Sequence, residues 1–108
     1  MKRHRVLFVE EAERDFADIV HYIAIHDTPS KARQVLQRLE DLCESLAALP
    51  SRGHCPPELE RLGVTIYREV HFKPYRVIYQ VIERDAVVHA ILDSRRDMQA
   101  LLERRMLR

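Results

Sequence analysis

Residues 66–93 read IYREVHFKPYRVIYQVIERDAVVHAILD, and this stretch decides the fold. It is rich in Val, Ile and Tyr, which favour strands, and it is interrupted at Lys73-Pro74 and Arg84-Asp85, which are typical of tight turns. The pattern predicts three strands, at residues 66–72, 75–83 and 87–93. Because the turns are so short, successive strands must be antiparallel neighbours. The stretch therefore predicts an antiparallel meander.

The residues before this stretch predict one more strand and two helices. A short β-branched and aromatic run at residues 5–9 predicts a first strand. From Glu10 to His26 the apolar residues recur at helical spacing, and acidic residues crowd the first turn, where the helix dipole favours negative charge. Thr28 followed by Pro29 is a typical helix start, and Pro50 ends the apolar stripe that follows. Two helices joined by so short a turn form an antiparallel hairpin.

The remaining segments predict a loop and a final helix. Residues 51–63 contain two glycines and two prolines and predict a loop. Residues 93–106 predict a helix with Met98, Leu101, Leu102 and Met106 on one face. The fold class is therefore α+β, in the order β-α-α-β-β-β-α, with the helical hairpin packed on one face of a small, mostly antiparallel sheet. The other face is expected to be partly free and available for docking.

Length and composition limit the class of protein. A chain of 108 residues, 46% of them hydrophobic, suits a single domain spanning residues 1–108. No apolar run approaches the roughly 20 residues that a membrane-spanning helix needs, and no secretory segment fits the basic start, so the protein is expected to be soluble and cytoplasmic. The two cysteines, Cys43 and Cys55, lack the spacing of a disulfide framework or zinc knuckle.

Charge is distributed unevenly, although the net charge is only +1. Residues 10–18 contain five acidic residues and one arginine, whereas residues 95–108 contain five arginines and two acidic residues. A basic C-terminal end can meet an acidic partner. A guanidinium group can bind a carboxylate or phosphate with two hydrogen bonds, so arginines are the expected partner-binding residues. Six are expected to have this role: Arg68, Arg76, Arg95, Arg96, Arg104 and Arg105. The alternative is that they are solvated, or paired with neighbours such as Glu69 and Glu83.

Few residues point to catalysis or to a bound metal. The six histidines include no pair at metal-ligand spacing with a third ligand nearby, so no metal site and no cofactor is expected. His54 and Cys55 are adjacent in a loop and are expected to be unrelated side chains. Tyr67, Tyr75 and Tyr79 are expected to pack in the sheet rather than to stack on RNA bases. The residues by themselves favour a binding protein.

The chain resembles the RelE/ParE toxins of type II toxin-antitoxin systems over nearly its full length. The resemblance rests on Leu49-Pro50-Ser51-Arg52-Gly53, Tyr67-Arg68-Glu69, the segment from Phe72 to Tyr79, and Asp93-Ser94-Arg95-Arg96-Asp97, in this order. It implies a cognate antitoxin, ParD-like or related, with an acidic amphipathic segment that covers part of the hairpin or sheet. It also implies one of two targets.

ParE-like toxins poison DNA gyrase, whereas RelE-like toxins cut messenger RNA on the ribosome. For a nuclease, the resemblance implies a site formed by Arg52, Arg68, Arg76 and His89. However, no Tyr or His follows His89, so the acid-base group that nuclease members commonly carry near the C-terminus is missing. The sequence therefore favours a gyrase poison without catalytic residues. The nuclease remains the alternative, and a degenerate member that only binds its antitoxin is a third.

Overall fold

The computed structural model describes residues 4–107, so residues 1–3 and Arg108, part of the predicted basic end, lie outside the described residues. The main elements are β1 (Arg5–Phe8), α1 (Glu10–His26), α2 (Pro29–Glu44), α3 (Pro57–Glu60), β2 (Arg68–Phe72), β3 (Tyr75–Ile82), β4 (Asp85–Asp93) and α4 (Met98–Met106). The predicted order is confirmed. The short helix α3 is an addition within the segment that was expected to be a loop.

Local signals begin and end the helices as the sequence predicts. Three acidic residues occupy the first turn of α1. The hydroxyl of Thr28 accepts a hydrogen bond of 2.9 Å from the amide of Lys31, and Pro29 takes the first helical position of α2. The final helix begins later than predicted, at Met98, because the carboxylate of Asp97 accepts a hydrogen bond of 3.1 Å from the amide of Ala100 and caps it there.

The four strands form one sheet in the order β1-β4-β3-β2. Strands β2, β3 and β4 are the predicted antiparallel meander, and β1 is parallel to β4. The last turn lies one residue earlier than predicted: Glu83 has a φ of 53°, and Asp85 already pairs with Arg5 at the start of β4. The prediction of a mostly antiparallel sheet is confirmed.

Helices cover both faces of the sheet, not one. On the first face, α1 and α2 pack against β3 and β4 through residues such as Leu39, Val77 and Val88. On the second face, α3 and α4 cover Ile78 and Ala90, which are fully buried beside Leu102. Burying a large aliphatic side chain stabilises a fold by about 1.5–3 kcal/mol, which explains why the short helices close over this face. The expectation of a partly free face is therefore wrong over this region.

No helix within residues 4–107 is long and apolar enough to span a bilayer.

Candidate functional site

Arg76 is at the centre of a buried ion-pair network on the second face of the sheet. Its two terminal nitrogens each donate to Glu58 at 2.8 Å, and its Nε donates to Glu69. Arg76 is 8% exposed and Glu69 is 1% exposed. The hydrogen bonds to Arg76 lower the pKa of Glu58, and the two carboxylates raise the pKa of Arg76. The network joins α3, which carries Glu58, to strands β2 and β3.

Two histidines converge on the same buried carboxylate. The Nε2 atoms of His54 and His71 lie 3.0 and 3.1 Å from the two oxygens of Glu69. The two rings meet edge to face with centroids 5.5 Å apart. Spacing along the chain did not predict this cluster, because His54 reaches it from the loop before β2, through an isolated bridge to Glu69. The cluster lines a cleft of about 460 Å³ that also includes Lys73.

Arg68 and Arg52 both form hydrogen bonds that hold the loop after α2 in place. Arg68 donates to the carbonyls of Ser51, at 3.1 Å, and Gly53. Arg52 donates to the hydroxyl of Ser45 at 2.6 Å. Both guanidinium groups therefore already have hydrogen-bond partners within the chain.

Tyr79 and Gly53 fix the same loop from the core side. The buried Tyr79 hydroxyl donates to the carbonyl of Pro50 at 2.7 Å and accepts from the amide of Gly53 at 3.1 Å. A Cβ at Gly53 would lie 2.5 Å from the carbonyl oxygen of Glu69, so only glycine allows this close approach. Tyr79 packs within the core, in line with the sequence prediction.

Arg105 ties α4 to α1 around the edge of β4. It donates to both oxygens of Asp15, at 3.1 and 2.8 Å, and to the carbonyl of His89 at 3.2 Å. Asp15 also accepts from the amide of Ile91 at 3.0 Å, beyond the point where β1 stops pairing with β4. These contacts satisfy backbone groups at an open strand edge. Arg104, by contrast, lies exposed on α4.

Arg95 and Arg96 lie exposed in the turn between β4 and α4. Arg95 pairs with Asp93, and its guanidinium lowers the pKa of that carboxyl. Both arginines line a cleft of about 700 Å³ between the helical hairpin and the end of the meander, together with Tyr22, His26 and Lys31. The rings of Tyr22 and His26 stack with centroids 4.1 Å apart. Four basic residues line this cleft against three aspartates, so it has a small excess of positive charge and is called the basic cleft below; the basic residues are Lys31, Lys73, Arg95 and Arg96, and the aspartates are Asp18, Asp27 and Asp93. Its exposed arginines can meet acidic groups of a partner.

His89 is separate from the arginines of the expected nuclease site. Its Nε2 lies 3.2 Å from the side-chain oxygen of Gln80, and its ring meets Tyr67 edge to face at 5.3 Å. Burial lowers the pKa of His89, and the charge of Arg105 lowers it further. Within residues 4–107, no hydrogen bond or ion pair joins His89 to Arg52, Arg68 or Arg76.

The helical hairpin carries an apolar groove of about 460 Å³. Its floor is apolar and its rim holds two glutamates; the lining residues are Phe8, Glu13, Phe16, Ala17, Val20, Leu36 and Glu40. A groove of this composition suits the apolar face of an amphipathic segment.

The family model described as ParE toxin of the type II toxin-antitoxin system parDE matches residues 6–98. No curated protein matches the chain. The fold is similar to a chain of the chromosomal ParDE toxin-antitoxin system from P. aeruginosa, with a TM-score of 0.70 and 16% identity over 84% of this chain and 96% of that one. It is also similar to a chain of the toxin-antitoxin complex RelBE2 from Mycobacterium tuberculosis, with a TM-score of 0.64 and 16% identity over 86% and 93%.

Proposed function

The chain belongs to the ParE toxin family of type II toxin-antitoxin systems, and from this premise we propose that it poisons DNA gyrase and is neutralised by a cognate antitoxin. In this proposal the toxin acts by binding and carries no catalytic residue. The rival proposal is a RelE-like nuclease that cuts messenger RNA on the ribosome.

The burial of Arg76 and its ion pairs with two carboxylates support a binding mechanism. A nuclease needs a cation that can meet the scissile phosphate as negative charge develops. Arg76 is instead buried and bonded to two carboxylates, Glu58 and Glu69. A phosphate would have to displace both of these anions before it could reach the guanidinium. Arg68 donates to two loop carbonyls, whereas Arg52 is exposed, donates to the hydroxyl of Ser45 and is less strongly held than Arg76.

The position of His89 supports the same choice. An acid-base catalyst must lie within hydrogen-bond reach of the atoms that exchange protons. His89 is bonded to Gln80 and packed against Tyr67, away from contact with the three arginines. Burial and the charge of Arg105 lower its pKa, which disfavours the protonated form that a general acid for the leaving oxygen would need, although the neutral imidazole could still act as a base.

The proposed gyrase-binding surface is the basic cleft and the exposed side of α4. Of the six arginines expected to bind a partner, Arg95, Arg96 and Arg104 are exposed. Arg76 and Arg105 are held in ion pairs within the fold, and Arg68 donates to loop carbonyls. Arg95 also pairs with Asp93 at the surface and would exchange that carboxylate for an acidic group of the partner. The exposed arginines can bind carboxylates of gyrase or phosphates of its DNA with two hydrogen bonds each.

The antitoxin is proposed to bind through an amphipathic segment. Its apolar residues would enter the hairpin groove at Phe16 and Val20, and its acidic residues would pair with the basic cleft at Lys31, Arg95 and Arg96. The two similar structures belong to toxin-antitoxin systems, which supports a partner of this kind.

A plasmid supercoiling assay with purified gyrase, run beside a translation reaction with a defined message, tests the target. We expect loss of supercoiling, accumulation of cleaved plasmid and an intact message. The double variant Arg95→Ala/Arg96→Ala is expected to weaken inhibition several-fold, because it removes two exposed guanidinium groups of the proposed surface. Arg38→Ala, an exposed arginine on α2, is the matched control and should inhibit normally.

Cleavage of the message with normal gyrase activity would refute the gyrase proposal and establish the nuclease. If neither target responds while the antitoxin still binds, the chain is a degenerate member of its family that only binds its antitoxin.

A further inference from the structure

The cluster of His54, Glu69 and His71 has the composition and geometry of a metal site. One atom from each side chain lies within 4.8 Å of the other two. A tetrahedral zinc ion with bonds of about 2.0–2.1 Å sets its ligand atoms about 3.4 Å apart. The nitrogen of His54 lies 3.0 Å from Oε2 of Glu69 and that of His71 lies 3.1 Å from Oε1, and the three ligand atoms are no more than 4.8 Å apart, so rotations of the exposed histidine side chains would bring them around one ion.

The backbone holds the three ligands in place. His71 follows Glu69 by two residues on β2, so both side chains lie on the same face of the strand. His54 pairs with Glu69 across an isolated bridge, with backbone hydrogen bonds of 3.2 and 2.7 Å in the two directions. A metal site needs such preorganised ligands, because ordering flexible side chains costs binding free energy.

Arg76 orients the carboxylate and leaves one oxygen available. It donates to Oε1 of Glu69, whereas Oε2 faces His54. Metal-ligating carboxylates are commonly held by a hydrogen bond of this kind. The two negative charges of Glu58 and Glu69 exceed the single positive charge of Arg76, so the network has a net negative charge that favours a cation. Lys73 lines the same cleft, but its side chain is exposed to solvent, where its repulsion is screened.

The cluster is also accessible. The side chains of His54 and His71 are 63% and 43% exposed, so an ion can reach them from the cleft. The remaining coordination positions face solvent or a partner. Two imidazoles and one carboxylate suit zinc and other borderline divalent cations such as cobalt and nickel, rather than calcium or magnesium.

We propose that His54, Glu69 and His71 form a site for one divalent transition-metal ion, with zinc as the expected occupant. The ion fastens the loop at His54 to strand β2. The site is independent of whether gyrase or the ribosome is the target.

Calorimetric titration of the full chain, free of any affinity tag, with zinc chloride tests the proposal. We expect one equivalent of zinc to bind and the melting temperature to rise. His54→Ala and His71→Ala should each weaken zinc binding at least tenfold. Because both side chains are largely exposed, neither substitution should unfold the protein. Cobalt in place of zinc adds a spectroscopic reading, since histidine ligation gives visible absorption bands that the two variants should lose.

Two control variants identify the ligands. His21→Ala removes an exposed histidine of α1 and should leave zinc binding unchanged. Cys55→Ser removes the thiol next to His54 and should also leave it unchanged. Absence of stoichiometric binding would overturn the proposal. So would binding that survives both His54→Ala and His71→Ala, or binding that depends on Cys55.

Discussion

The Arg76→Met substitution tests whether the buried ion-pair network holds α3 on the sheet. Methionine keeps an unbranched side chain of similar length but removes the charge and all three hydrogen bonds to Glu58 and Glu69. Glu69, at 1% exposure, is then left as a buried carboxylate without its cation. Removing one member of a buried ion pair is destabilising because the remaining charge still lacks its solvation.

The expected loss follows from the burial of the two partners. Breaking a buried pair from one side costs about 3–5 kcal/mol. His54 and His71 remain 3.0 and 3.1 Å from the carboxylate and can still donate to it, so the lower end, about 3 kcal/mol, is expected. For a chain of 108 residues, an unfolding entropy of about 2.1 cal/mol/K per residue converts this to a fall in Tm of roughly 13 °C.

Urea unfolding at pH 7.5 measures the change in the free energy of unfolding. Arg104→Met is the matched control, because Arg104 is exposed on α4 and its loss should change stability by no more than about 0.5 kcal/mol. The double variant Arg76→Met/Glu69→Gln should be more stable than Arg76→Met, because it also removes the unpaired buried charge of Glu69. A loss below about 1 kcal/mol for Arg76→Met, or a double variant less stable than the single one, would refute the reasoning.

Three further predictions concern single side chains. Burial raises the pKa of Cys43 to about 12. At pH 8 a thiol reagent should therefore modify the partly exposed Cys55 first and reach Cys43 only as the protein unfolds. Equal rates of modification at the two thiols would contradict this. Arg76 lowers the pKa of Glu58, so the stabilisation by this carboxylate is present above its ordinary pKa of 4.5 and is lost as the pH falls through the lowered value. The stability difference between wild type and Glu58→Gln, followed by urea unfolding from pH 7 to pH 3, should therefore shrink; a constant difference would exclude the linkage. Tyr79→Phe removes two hydrogen bonds to the loop and should lower the free energy of unfolding by about 1–3 kcal/mol, and a neutral result would show that the loop does not depend on the hydroxyl.

Local signals in the sequence predicted most of the secondary structure. The N-cap of Thr28, Pro29 at the first helical position and the Lys73-Pro74 turn each act within a few residues, and all lie where the sequence places them. The short helix α3 was missed because its four residues are too few for a helical period, although Pro57 at its start is a helix signal. Residues 51–63 were instead interpreted from their glycines and prolines.

The candidate sites were only partly predictable, because charge pairing is set by contacts between distant segments. The arginines of residues 95–108 looked alike in the sequence, yet Arg105 is bonded to Asp15, 90 residues away, while Arg96 and Arg104 are exposed. Arg76 likewise finds Glu58 through the packing of α3 on the sheet. The spacing of residues within one helix or strand cannot predict such pairs.

The sequence by itself determined the strands, the helices other than α3, their order and the family. Hydrophobic periodicity, helix caps and turn residues act locally, and the motifs of the family follow one another along the chain. The tertiary structure alone decided that helices cover both faces of the sheet, that Arg76 is buried between two carboxylates, and that His54 and His71 meet at Glu69. The physical reason is that burial and electrostatic pairing depend on distances across the folded chain. Those distances exist only after the loop at His54 has bridged to β2 and α3 has closed over the second face of the sheet.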